Sequence, residues 1–349
     1  MKLIVQIPVL NEADTIAAVI EDIPRAIPGV DSVEILIVDD GCTDDTVAIA
    51  LKHGADFVVR HTSRKGLARA YQTGNDAALR LGADIIVNTD GDHQYPGSEI
   101  PRLIAPILAG EAEVVIGDRQ VGSIGHFSPL KKTLQSVGSG VVRWASETDV
   151  PDTVSGFRAL SREAALRLFV TTDFSYTVEN LIQAGKKGLT VTTVPIATNP
   201  VERPSRLHQG NWNFIKRQAA IIARTYATYE PLKTFSYIAL VFFVPGLLLL
   251  AWATVVFIGR RLRLLEASND QSLIVGGVLM IMTLLTFLFG VIADRIGGVR
   301  RLDEEQLYRL RSREVADEEW RRAVGARLEA LEHKLDDVSR DARELEAKS

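Results

Sequence analysis

The run Ala83-Asp84-Ile85-Ile86-Val87-Asn88-Thr89-Asp90-Gly91-Asp92-His93-Gln94 decides how this chain folds. Its apolar half reads as a short buried β-strand. Its polar half is the loop leaving that strand, with two carboxylates one residue apart and a glycine between them. Hard oxygen ligands so placed suit Mg2+ or Mn2+ and leave room for a diphosphate. An ion held there neutralises charge on a departing nucleotide diphosphate, a Lewis-acid role. The competing reading is an ordinary polar loop, since Asp and Gly are common in loops.

Outward from this run the same alternation repeats. Met1 to Pro8 reads as a first strand, followed by Ile35-Leu36-Ile37-Val38, Phe57-Val58-Val59 and, beyond the opening run, Val114-Val115-Ile116. Helices are expected at roughly Thr15 to Ile23, Thr46 to His53 and Gly66 to Leu81. This order predicts an α/β domain whose mostly parallel sheet is covered on both faces. Ligands on such sheets bind beyond the carboxyl ends of the strands. Asp39-Asp40 and Asp90-Asp92 both lie at such ends, so one crevice can hold both pairs.

Composition narrows the class. The chain has 349 residues, a net charge of −4 and one cysteine, Cys42. The charge gives no reason to expect a nucleic-acid partner. A lone cysteine forms no intrachain disulfide, which suits a reducing compartment. The first apolar run is too short for a signal peptide and lacks a cleavage site, so the N-terminal domain is expected in the cytosol.

Near residue 232 the composition changes. Two apolar segments without a charge follow, at about 235–258 and 273–293. Each exceeds the about 20 residues needed to cross a hydrocarbon core. A pair of buried helices in a soluble protein is the alternative. Pro245-Gly246 predicts a kink in the first segment. Lys216, Arg217, Arg224 and Lys233 precede the pair, and Arg295, Arg300, Arg301, Arg309 and Arg311 follow it. The intervening loop carries Arg260, Arg261 and Arg263. The imbalance favours a hairpin through the inner (plasma) membrane with both ends cytosolic.

Two flanking segments are amphipathic. Trp212, Ile215, Ala219, Ile222 and Tyr226 share one side of a helix over Trp212 to Tyr229, with Lys216 and Arg217 elsewhere. Such a helix lies along anionic headgroups or packs on the catalytic domain. After Asp303 the chain is strongly charged. Val324, Leu328, Leu331, Leu335, Val338, Ala342 and Leu345 alternate spacings of four and three, an a/d seam. It either pairs with a second copy, giving a homo-oligomer, or lies on its own chain. The expected domains are 1–210 catalytic, 211–232 juxtamembrane helix, 233–294 transmembrane and 303–349 helical tail.

Further fragments stand beside the opening run. Ile7-Pro8-Val9-Leu10-Asn11-Glu12 ends the first strand. Ile37-Val38-Asp39-Asp40-Gly41-Cys42-Thr43-Asp44-Asp45-Thr46 ends the second, and Gly117-Asp118-Arg119 a later one. Asp152-Thr153-Val154-Ser155-Gly156-Phe157-Arg158 comes next, and Arg203-Pro204-Ser205-Arg206-Leu207 precedes the apolar region. In this order they resemble family 2 glycosyltransferases of the GT-A fold, a Rossmann-like architecture, over about residues 1–210. Asp90-Gly91-Asp92-His93-Gln94-Tyr95-Pro96 and Ser155-Gly156-Phe157-Arg158 are most similar to the branch of dolichol-phosphate mannosyltransferases and bacterial polyprenyl-phosphate glycosyltransferases. Members of that branch move one sugar from a nucleotide-sugar to a polyprenyl phosphate, and many carry C-terminal transmembrane helices.

The resemblance implies roles. Pro8, Leu10 and Glu12 would line the nucleoside pocket, and Val38 and Asp40 would contact base and ribose. Asp90, Gly91, Asp92 and Gln94 would serve metal and diphosphate. Arg119, Arg203 and Arg206 would hold phosphate or donor. Lys132 and Ser136, four residues apart on one helix face, would hold the acceptor phosphate. Asp152 and Glu179 are the remaining candidate site carboxylates, each able to orient sugar hydroxyls. Departures are Cys42 where serine is usual, Gly91 for alanine, Arg206 for lysine, and a short spacing from Arg203 to Arg206.

A lipid phosphate is already anionic, so alignment and leaving-group stabilisation supply the catalysis. In-line attack on an α-linked donor gives a β-linked lipid-phosphate sugar. UDP-glucose and GDP-mannose are equally compatible donors. A polysaccharide synthase is disfavoured because no Gln-x-x-Arg-Trp motif is found. A non-catalytic membrane scaffold is disfavoured by the retained Asp90, Asp92, Gln94, Arg119 and Arg203.

Overall fold

Apolar runs and amphipathic helices build a seven-stranded sheet in the order β3-β2-β1-β4-β6-β5-β7. The computed structural model describes residues 1–120, 140–170, 176–200, 211–262 and 270–346. The strands are β1 (Lys2–Val9), β2 (Ser32–Asp39), β3 (Phe57–Arg60), β4 (Ile85–Asn88), β5 (Val114–Asp118), β6 (Arg158–Ser161) and β7 (Val191–Pro195). The helices packed with them are α1 (Ile16–Asp22), α2 (Thr46–Lys52), α3 (Leu67–Arg80), α4 (Ile100–Leu108), α5 (140–146), α6 (Arg162–Arg167) and α7 (Tyr176–Lys186). β1, β2, β3 and β4 run parallel, as do β5 and β7. β6 is antiparallel to both its neighbours, β4 and β5.

Helices on both faces require strands buried on both faces. Leu3 through Val9 of β1 are all buried, and so is all of β4. Each fully buried Val, Leu or Ile side chain contributes about 1.5–3 kcal/mol. Helix α4 buries Ile100, Leu103, Ile104 and Ile107, a stripe at helical spacing. Strand order reverses between β1 and β4, which places a crevice beyond their carboxyl ends. Parallel pairing sets Pro8 beside Val38 and Val9 beside Asp39 at the rim of that crevice.

The chain divides into two compact units, Met1–Arg206 with Gln306–Ser349, and Leu207–Glu305. The second holds α8 (Asn211–Tyr229), α9 (Pro231–Arg261) and the first part of α10 (Asp270–Glu346). Helices α9 and α10 are each long and apolar enough to cross a membrane. Their large side chains face outward, with Val241 69% and Phe257 71% exposed. Ala239, Gly246 and Ala253 recur every seven residues on the buried side of α9. An added Cβ at Gly246 would stand 3.0 Å from Leu279 Cβ, so the two helices touch at small residues. In helix α8, Ile221 and Thr225 are buried, while Ala219 of the apolar stripe is exposed and its Ile222 and Tyr226 are half-buried.

The tail departs from the separate element its sequence suggested. Helix α10 is continuous from Asp270 to Glu346, and no proline lies within it to break it. Within the first unit its residues 308–322 lie on α3 and α6. Arg311 Nη1 donates to the Leu166 and Leu168 carbonyls at 2.6 and 3.2 Å, and Nη2 donates to Asp76 Oδ1 at 2.6 Å. Tyr308 Oη donates to Glu163, Arg162 pairs with Glu319, and Arg322 donates to the Leu81 carbonyl. Beyond this contact Leu328 and Leu331 of the a/d seam are exposed.

Candidate active site

The β1 and β4 ends meet where the opening run predicted. Thr15 Oγ1 donates to the Gly91 carbonyl at 2.6 Å, tying the start of α1 to the acidic loop. An added Cβ at Gly91 would sit 3.2 Å from Glu12 Cγ, so the small residue lets the loops abut. Below them Asn88 fixes the end of β4. It accepts from Gln6 Nε2 at 3.1 Å and donates to the Gly156 carbonyl at 2.8 Å and Tyr176 Oη at 2.9 Å. Tyr176 stacks on Tyr71 with centroids 3.8 Å apart.

Asp90 lies against Gly156, where an added Cβ would stand 2.9 Å from Asp90 Oδ2. Burial, then the neighbouring Asp92 carboxylate, push Asp90 up to about 7, against the pull of Arg119 and Arg158. Asp92 is exposed and accepts from the Gln94 backbone at 3.1 Å. The Gln94 carbonyl in turn accepts from Asn199 N at 3.0 Å. Two crowded carboxylates, one of them poor in solvent, fit a divalent cation. No third His, Cys, Asp or Glu joins them among the described residues. Mg2+ commonly takes one or two carboxylates and completes its shell with substrate phosphate and water.

Arg119 and Asp152 come together. Arg119 Nε and Nη2 grip the two Asp152 oxygens at 2.6 and 2.9 Å, with Asp152 almost fully buried. Although burial opposes it, Tyr95 and this carboxylate hold the Arg119 guanidinium above its usual pKa, so it is a fixed cation. Asp152 therefore aims Arg119. Asp40 is similarly engaged: Oδ1 takes His61 Nδ1 at 2.8 Å and Lys65 N at 2.7 Å, and Oδ2 takes Gly66 N at 2.8 Å. In the structure it orders the loop from His61 to Gly66 beside the crevice. Burial alone would raise Asp39, but Cys42 N, Gly41 N and Arg60 outweigh it and hold its carboxyl low.

Pro8 and Val38 are buried side by side at the rim, Leu10 is half-buried, and Glu12 caps the turn into α1 by accepting from Thr15 N and Ile16 N. Glu179 sits in the first turn of α7, 2% exposed, and accepts from Gln183 Nε2 at 3.2 Å. Lys132, Ser136, Arg203 and Arg206 lie outside the described residues.

The sequence named the Ser-Gly-Phe-Arg motif without its work. Arg158 is fully buried and donates to the Ser155, Thr177 and Thr153 carbonyls at 2.8, 2.7 and 3.0 Å. It staples the 153–158 loop to α7, which is how Gly156 reaches Asp90. The roles of Asn88 and Tyr176 were also missed. Asn88 had a signal, its place between a strand and two aspartates; Tyr176 had none.

The sequence matches the profile of glycosyl transferase family 2 over residues 4–169. It is 29% identical over 204 residues to the polyprenol monophosphomannose synthase of Mycolicibacterium smegmatis, spanning 55% of this chain and 76% of that protein. It is 31% identical over 201 residues to an uncharacterised glycosyltransferase of Mycobacterium bovis, spanning 56% of this chain and 84% of that protein. The solved structure of glucosyl-3-phosphoglycerate synthase from Mycobacterium tuberculosis, in complex with Mn2+, UDP-glucose and phosphoglyceric acid, superposes with a TM-score of 0.50 at 25% identity. The match covers 65% of this chain and 79% of that one. The sheet with its acidic loop beyond β4 is thus a GT-A-like domain, and the chain belongs to glycosyl transferase family 2.

Proposed function

We propose that this protein is a membrane-bound inverting glycosyltransferase that moves one hexose from a nucleotide-sugar to a polyprenyl phosphate. One observation carries the reading: a single chain joins the Asp90-Gly91-Asp92 loop at the β1/β4 crevice to two helices apolar enough to cross a membrane. The loop suits a nucleotide diphosphate, and the helices suit a lipid acceptor. The polyprenol monophosphomannose synthase relative supports a polyprenyl phosphate acceptor and mannose as the sugar. GDP-mannose and UDP-glucose are the donors to compare.

Asp90 and Asp92, with Gln94, would hold Mg2+ or Mn2+. The bound ion would supply Lewis-acid stabilisation of the leaving diphosphate. Pro8, Leu10, Glu12, Val38 and Asp40 form the nucleoside side, Asp40 acting through the loop that it orders. Arg119, aimed by Asp152, presents a fixed positive charge to phosphate. Glu179 takes the sugar side, and Arg203 and Arg206 close on the donor. Lys132 and Ser136 receive the lipid phosphate, whose own oxygen is the nucleophile. Backside attack then yields a β-linked product. The domain would sit in the cytosol against the inner membrane, with α8 at the interface and the tail seam, whose Leu328 and Leu331 are exposed, pairing with a second copy.

The test is transfer. Purified protein in detergent is incubated with undecaprenyl phosphate, Mg2+ or Mn2+, and labelled GDP- and UDP-sugars. Label enters the organic phase from one donor and chelator abolishes it. Folded protein that moves no label from any donor overturns the reading.

A further inference from the structure

The contact between α10 and the catalytic domain reaches further than packing. Arg311 is 8% exposed, an unusual burial for a guanidinium, and it bonds to Asp76 of α3 and to the carbonyls of Leu166 in α6 and Leu168 just after it. Asp76 Oδ1, which accepts from Arg311, also accepts from Gln72 Nε2 at 3.0 Å. Gln72 Oε1 accepts from the Val170 backbone at 2.9 Å. The adjacent Phe169 is held at both its N–H and its carbonyl by the Gln183 side chain, at 3.1 and 2.7 Å. Gln183 Nε2 also donates to Glu179 Oε1 at 3.2 Å. Gln72, Gln183 and Glu179 are each at most 5% exposed. A continuous line of polar contacts therefore runs from the tail to Glu179, with the backbone at 168–170 as its middle link.

We propose that Arg311 is a positioning residue, through which the C-terminal helix sets the backbone at 168–170 and hence the Glu179 carboxylate. The inference rests on the reading of Glu179 as the sugar-side acid. A buried amide pair such as Gln72 and Gln183 has few alternative partners, so its geometry follows the groups at its ends. Removing Arg311 frees Asp76 and the Leu166 and Leu168 carbonyls together, and Gln72 loses its fixed acceptor. Arg322 offers an internal control. It also ties the tail to the domain, through the Leu81 carbonyl at 2.6 Å, but lies off this line.

The experiment compares full-length Arg311→Ala, Arg311→Lys, Arg322→Ala, Glu179→Gln and the Arg311→Ala/Glu179→Gln double variant in detergent. It reads kcat and KM in the transfer assay, GDP and UDP affinity and stoichiometry by calorimetry, and amide exchange at Phe169 and Val170. Arg311→Ala is expected to lower kcat on the order of tenfold through misplacement. Nucleotide affinity and stoichiometry stay unchanged, which separates misplacement from loss of folded protein. Arg311→Lys recovers part of the rate, and Arg322→Ala keeps it. The double variant is no slower than Glu179→Gln alone, because both changes break one line. Amide exchange at 169 and 170 speeds up in Arg311→Ala and not in Arg322→Ala. Equal losses in both arginine variants, multiplying losses in the double variant, or unchanged exchange would overturn the proposal. A wild-type rate in Glu179→Gln would remove Glu179 as the end of the line and overturn it too, while leaving transfer by the wild type standing. Failure of the transferase reading is seen separately, as wild-type protein that moves no label.

Discussion

Asp92 is exposed and contributes no packing, so its replacement tests chemistry without testing the fold. Asp92→Ala is expected to lower metal-dependent transfer on the order of a hundredfold or more while thermal stability stays as in wild type. Retained activity would remove the metal assignment. Gly156 makes the complementary test from the other side of Asp90. A methyl group there would meet Asp90 Oδ2 at 2.9 Å and Tyr176 Oη at 3.1 Å, so the carboxylate must shift. Gly156→Ala should weaken Mg2+-dependent GDP or UDP binding by about tenfold in calorimetry; unchanged affinity would show that Asp90 is not a ligand where it stands. The sequence made the residue types legible because a strand followed by a polar loop announces itself within a dozen positions. Pairings were not legible. Arg119 and Asp152 are 33 positions apart, and Asp40 and His61 are 21 apart, so only the sheet brings them together. Cys42 shows the same limit. Burial first, with Asp39 nearby and against the Asn11 N–H that donates to its sulfur, pushes the thiol up to about 11. A raised thiol pKa leaves thiolate scarce at every pH below it, roughly one molecule in ten thousand at pH 7. Disulfide-reagent labelling of Cys42 should therefore be slow in folded protein, rise with pH, and become fast on denaturation. Rapid stoichiometric labelling of the native protein at neutral pH would contradict the partly buried setting of this thiol.

Elements with strong periodicity were read nearly to the residue. The expected helices Thr46 to His53 and Gly66 to Leu81 correspond to α2 at Thr46–Lys52 and α3 at Leu67–Arg80. Strand β6 was missed because Arg158–Ser161 is four residues long, begins with a charge and pairs antiparallel inside an otherwise parallel run. Nothing in four residues distinguishes such a strand from a loop. The continuous α10 was missed for the opposite reason: its apolar and charged halves look like separate elements, yet no proline divides them. The helix pair makes its own prediction. An added Cβ at Gly276 would stand 2.9 Å from Leu250 Cγ, whereas one at Gly277 would meet nothing within 4 Å. The two positions are neighbours on one helix and share its propensity costs. Gly276→Leu should therefore destabilise the pair by about 1–3 kcal/mol of overpacking, read as earlier loss of the monodisperse peak on heating in detergent. Gly277→Leu should not. Equal behaviour of the two variants would show that α9 and α10 do not pack at Gly246 and Gly276.

At the scale of the molecule, the grouping of Gln306–Ser349 with Met1–Arg206 constrains the path of the chain. The first unit is built from sequence on both sides of the apolar helices, so the intervening chain must leave that unit and return to it. If the two apolar helices cross a membrane as proposed, their even number would allow this return. The continuity of α10 carries the return directly, since the same helix is apolar at one end and bonded to α3 and α6 at the other. In the proposed membrane arrangement, the basic residues flanking the pair, which outnumber those between them, would put the returning end on the cytosolic side. The sequence expects this hairpin from two charge-free segments and the basic residues that flank them; the contacts of Arg311 with α3 and the Leu166 and Leu168 carbonyls would require both sides of the pair to share one compartment. Introduced cysteines test it, because Cys42 is the only native one and can be replaced by serine. In intact spheroplasts a membrane-impermeant maleimide should label Ser268→Cys, between the spans, and spare Glu329→Cys in the tail and Asp31→Cys in the first unit. After permeabilisation all three should react. Labelling of Glu329→Cys without Asp31→Cys in intact cells would mean that the tail and the first unit lie on opposite sides, and the Arg311 contact could not form in the membrane. Labelling of both with Ser268→Cys protected would keep that contact and reverse the orientation.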